Sequence, residues 1–115
     1  MKRLAIRVLL VFALLFVGCG PTRHDEETLK QNLFSLRTSI DNYTTDRAKA
    51  PQSLDDLVRA GYLRTVPRDP ITGKSDWVPV QDDSLLSADQ TEPGISDVHS
   101  ASDKTASDGT VYSSW

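Results

Sequence analysis

Side chains able to do chemistry are few in this chain and fall in two places. The C-terminal third carries seven acidic residues between positions 82 and 108 against one cation, Lys104. Hard cations such as calcium are bound by carboxylates and carbonyls presented from a loop. Asp103-Lys104-Thr105-Ala106-Ser107-Asp108-Gly109 could fold two carboxylates and several carbonyls around one ion. The spacing is not that of an EF-hand, and an acidic loop is more often simply solvated. The second place is Cys19, the only cysteine. His24 and His99 are far apart in sequence and in no His-Glu-x-x-His arrangement, so both read as surface residues. No phosphate-cradling glycine loop and no nucleophile elbow is present. No catalytic residue is assigned, and the chain is expected not to be an enzyme.

Cys19 gains meaning from what precedes it. Lys2, Arg3 and Arg7 are followed by an uninterrupted apolar run over residues 8–17 and then by Gly18-Cys19-Gly20, the order of a signal peptide. The run is roughly half the ~20 apolar residues that a spanning helix needs, so residues 1–18 are expected to be a signal segment and not a permanent anchor. Phe16-Val17-Gly18-Cys19 resembles the bacterial lipobox, with Phe16 where leucine is usual. The resemblance implies a lipid anchor on Cys19 and a lipidated tether over residues 19–28. A lone exported thiol has no internal disulfide partner, which acylation explains better than a bridge. Ordinary signal-peptidase cleavage with an incidental thiol is the other reading. Gly20, in place of aspartate, goes with outer-membrane sorting in the Gram-negative lipoproteins it resembles. The expected location is therefore the cell envelope, membrane-tethered and facing the periplasm.

Loss of the segment removes three of thirteen Lys and Arg residues and none of the sixteen acids, leaving about six net negative charges. Phosphate binding needs clustered basic residues, and no such cluster follows Arg7. Nucleic acid is thus not an expected partner. The remaining 97 residues suffice for one domain with a modest core.

The elements that must position these groups can be read from periodicity. Asp25-Glu26-Glu27 places acids where a helix N-terminus favours them. Leu29, Leu33, Leu36, Ile40 and Tyr43 alternate spacings of four and three, drawing one apolar stripe along a helix. Lys30, Gln31, Arg37, Asp41 and Asn42 occupy the other side. Pro51 requires that helix to have stopped before it. Ser53-Leu54-Asp55-Asp56 reads as a capping box opening a short second helix, with Gly61 as its left-handed close. Pro67-Arg68-Asp69-Pro70-Ile71-Thr72-Gly73 is a fixed turn. Trp77-Val78-Pro79-Val80 predicts a short strand that Pro79 confines to an edge or an end. Residues 95–100 and 111–115 are the other strand candidates, and Trp77 and Trp115 are expected in the core.

Taken in order, Leu33-Phe34-Ser35-Leu36-Arg37-Thr38-Ser39-Ile40-Asp41-Asn42-Tyr43, Pro51-Gln52-Ser53-Leu54-Asp55-Asp56-Leu57, Gly61-Tyr62-Leu63 and the turn at 67–73 resemble the major pseudopilin of type II secretion. The likeness continues through Asp76-Trp77 and Asp97-Val98-His99-Ser100 to the closing Asp108-Gly109 and Trp115, and covers residues 29–115. It implies a pilin-like α+β fold, a long N-terminal helix and a short second helix packed on a small antiparallel sheet. It also implies a calcium ion held by Asp103 and Asp108, with nearby carbonyls such as Ser100 completing the shell. The loop here is shorter than the family's.

The front end departs from that family. A pseudopilin begins with glycine followed by Phe-Thr-Leu-Ile-Glu, whose glutamate and apolar helix build the filament core, and neither is present. Two functions fit. One is an accessory lipoprotein that binds secretion or pilus machinery proteins without polymerising. The other is a free-standing cell-envelope lipoprotein using the same fold for another ligand or partner.

Overall fold

A computed structural model describes residues 20–83 and 93–115. The expected signal segment and Cys19 lie outside the described residues, as do positions 84–92 of the acidic loop. The described chain is an α+β fold with two helices, α1 (Arg23–Arg47) and α2 (Leu54–Arg59), a two-stranded sheet of β1 (Val78–Asp82) and β2 (Gly94–His99), and a closing 3-10 turn, η1 (Tyr112–Ser114).

Helix α1 starts where its capping chemistry allows. The Thr22 hydroxyl accepts from the amide of Asp25, and the Asp25 carboxylate accepts from the amide of Thr22, so two amides that the first turn leaves orphaned are satisfied. The helix therefore begins at Arg23, ahead of Leu29 where the domain was expected to start. It ends as Ala48 turns left-handed at φ 53°, before Pro51. All five stripe residues are buried, Leu29 and Leu36 fully. Each such side chain removed from water contributes about 1.5–3 kcal/mol.

The stripe packs against Ile95 and Val98 of β2, Leu57 of α2, Trp77 and Tyr112. In α2 the Ser53 and Asp56 box forms as expected, and Gly61 closes the element at φ 86°. The buried Ser39 hydroxyl donates to the Tyr62 carbonyl, and the rings of Tyr43 and Tyr62 meet edge to face. The segment after α2 is thereby fastened to α1.

The turn at 67–73 is organised by one fully buried carboxylate. Asp69 Oδ1 accepts from the amide of Ile71 at 2.8 Å, and its backbone bonds both Lys74 and Gly73. Trp77 is buried as expected, its indole N–H donating to the Pro67 carbonyl. Strands β1 and β2 pair antiparallel with an irregularity between Val80 and Gln81. Every β1 residue is exposed, which suits an edge strand carrying Pro79.

The expected strand at 111–115 is corrected. Only Val111 makes a bridge, with Thr105, and Tyr112–Ser114 is a 3-10 turn. The cause is the spacing of two aromatics. Tyr112 and Trp115 stack edge to face with ring centroids 5.1 Å apart. Residues three apart face opposite ways on a strand but share a side in a 3-10 turn.

Candidate functional site

Three of the residues singled out for chemistry, Ser100, Asp103 and Asp108, lie on the C-terminal loop, residues 100–111. Its closure follows from backbone bonds. The Ala106 amide donates to the Thr110 carbonyl and the Gly109 amide to the Ala106 carbonyl, while the Tyr112 amide reaches back to the carbonyl of Lys104. Gly109 sits at φ 89°, a conformation that costs glycine little and other residues more. At the tip, Asp108 Oδ1 accepts from both the amide and the hydroxyl of Thr110, at 3.0 and 2.6 Å. The hydroxyl bond, then the amide bond, holds this carboxyl below its ordinary range.

Asp103 is exposed on the same loop. Ser100 is fully buried, and its hydroxyl donates to Asp69 Oδ2 at 2.6 Å, joining the loop to the 67–73 turn. That hydroxyl is committed, so the carbonyl is the Ser100 oxygen left for the role implied by resemblance. Among the described residues, no three or more His, Cys, Asp or Glu side chains form a group that could hold a metal. A cation here would rest on Asp103, Asp108, carbonyls and water, an all-oxygen set of the kind calcium takes. Cys19, the expected lipidation site, is outside the described residues.

Two anchoring residues escaped the sequence reading. Glu26 is buried in the first turn of α1; Oε1 accepts from the Ser107 amide and the Tyr112 hydroxyl, both at 2.8 Å, and Oε2 accepts from the Ser107 hydroxyl at 2.6 Å. These bonds, led by the Ser107 hydroxyl, lower its pKa. Tyr112 is correspondingly pushed up to about 12, first by burial and then by its bond to Glu26. The available signal was position: Glu26 lies three residues before Leu29, on the extension of the buried stripe.

The second, Arg37, holds the residues on either side of the loop and not the loop itself. Its Nε donates to Asp97 Oδ1 at 2.7 Å and its Nη2 to the backbone oxygens of Val98 and Trp115, at 2.9 and 2.8 Å. The Asp97 pKa is lowered despite partial burial, because the Val98 amide and Arg37 both bond its charged form. His99 Nδ1 lies 2.6 Å from the same Trp115 oxygen and donates to it. Trp115, expected in the core, is only partly buried and has the Lys30 ammonium 5.1 Å above its ring.

The site that results is a loop tied by hydrogen bonds to the first turn of α1 through Glu26 and to the 67–73 turn through Asp69. No family model, curated protein or solved structure matches this chain.

Proposed function

We propose that this chain is a non-enzymatic lipoprotein, tethered to a membrane through Cys19, whose pseudopilin-like domain serves as an accessory component of type II secretion or a related pilus system. The observation that carries the reading is the junction between tether and helix. Helix α1 is amphipathic, buries one stripe and opens with a capping box at Thr22, directly after a cysteine in a lipobox-like setting. A filament subunit needs an apolar helical extension at this point; here the chain has Pro21, Thr22 and Arg23. Among the described residues no helix is long and apolar enough to cross a membrane. The order of long helix, short capped helix, hairpin and pinned C-terminal loop supports the pilin-like comparison.

The test joins anchor and partner. Radioactive palmitate is expected to label the wild-type chain and not Cys19→Ala, and a pull-down from labelled membranes is expected to recover secretion or pilus components. Equal labelling of both chains would remove the tether, and recovery of envelope proteins outside those systems would remove the accessory role.

Calcium belongs to the same proposal. The ion would bind Asp103 and Asp108 and stiffen a loop that hydrogen bonds already close. Calcium should raise the melting temperature and Asp108→Asn should abolish the rise, while a melt indifferent to chelator rejects the site.

A further inference from the structure

One apolar side chain on the outer face of α1 has no internal use. Phe34 is 72% exposed and stands at the rim of a groove of about 480 Å³ that it forms with Lys30, Leu33, Arg37, Asp108 and Trp115. A single exposed ring means little by itself. Its neighbours along the helix give it direction.

Lys30, Phe34, Arg37 and Asp41 follow one another at spacings of four, three and four, so they form one stripe three turns long, about 16 Å. Its order is cation, ring, cation, anion. Two copies laid antiparallel place Lys30 of each against Asp41 of the other, and Phe34 of each against Arg37 of the other. A two-fold axis makes both pairings twice. A parallel arrangement in register would set like against like. Arg37 is prepared for its part, since three bonds from Nε and Nη2 fix the guanidinium while its side chain stays 37% exposed. A guanidinium held in this way stacks on an aromatic face at little further cost in order. Lys30 and Asp41 are exposed, and no ion pair among the described residues uses either.

We infer that the outer face of α1 is a docking surface for a second copy of this chain, antiparallel, with Phe34 of one copy seated in the groove beside Arg37 of the other. Four side chains per copy make a small contact beside the roughly 1,200–2,000 Å² of a stable dimer, so the association is weak and concentration-dependent. It does not depend on the secretion reading.

Sedimentation of the full chain, processed in its host and purified in mild detergent, tests this. The wild type is expected to show a monomer–dimer equilibrium that Phe34→Ser abolishes. Lys30→Asp and Asp41→Lys each juxtapose like charges twice and should weaken dimerisation about tenfold. Combining Lys30→Asp with Asp41→Lys should restore it to within about threefold of wild type. Melting curves near that of the wild type exclude misfolding as the cause. A wild type that stays monomeric at every concentration, or a dimer indifferent to the charge reversals, overturns the inference and leaves the face to a different protein.

Discussion

At position 26 a carboxylate occupies the buried stripe one turn ahead of Leu29, and its three bonds to Ser107 and Tyr112 join the start of α1 to the last loop of the chain. A buried carboxylate is tolerable only when its acceptor sites are filled in this way. Glu26→Gln keeps the shape but exchanges one acceptor oxygen for an N–H donor facing the Ser107 hydroxyl, so a lower melting temperature at neutral pH is expected. The pH dependence has a definite sign. The Glu26 pKa is lowered in the fold from an ordinary 4.5, so the folded state binds fewer protons. Its contribution is complete above the unfolded value and fades as pH falls through the folded one. Melting curves of wild type and Glu26→Gln should therefore draw together as the pH falls below the ordinary carboxylate range and through the lowered folded-state value. A gap of constant width would show that the carboxylate charge is not what the loop uses.

At the scale of elements, β2 begins at a glycine for a reason outside the strand. A Cβ on Gly94 would stand 2.3 Å from the Ala50 Cβ and 2.9 Å from its backbone, where the 50–51 segment crosses β2 and the Pro51 carbonyl accepts from the Ile95 amide. Gly94→Ala must push strand and crossing apart, which by the cost of overpacking destabilises by about 1–3 kcal/mol; denaturant unfolding would measure it, and a neutral result would mean the crossing is loose. This close approach could not be read from the sequence, because it joins segments more than 40 residues apart. The helices were legible. Leucines at helical spacing and a Ser-x-x-Asp box are local signals, and both behaved as local rules require. The 111–115 segment misled because Val111 and Tyr112 favour strands, while the outcome was decided by the ring of Tyr112 reaching Trp115 and its hydroxyl reaching Glu26.

For the whole molecule, the same distinction separates what composition could indicate from what it could not. The acidic C-terminal third suggested an ion, yet the carboxylates that hold the fold together, Glu26, Asp69 and Asp97, lie outside the loop proposed to bind it. Their partners are hydroxyls, amides and Arg37, groups with no pattern of their own in the sequence. Arg37 read as a member of the solvated face of α1, and it proved to join that helix to β2 and to the last residue.

The capping box at Thr22 also fixes a length. With the proposed lipid on Cys19 and the helix starting at Arg23, the leash between bilayer and folded domain is four residues, at most about 14 Å when extended. So short a leash confines the domain to a thin layer over the membrane, where neighbouring copies meet in two dimensions and at a raised effective concentration. Antiparallel α1 helices would then lie along the bilayer, with one anchor beneath each end of the pair. A contact only partly occupied at ordinary concentrations in bulk solution becomes more fully occupied in that layer.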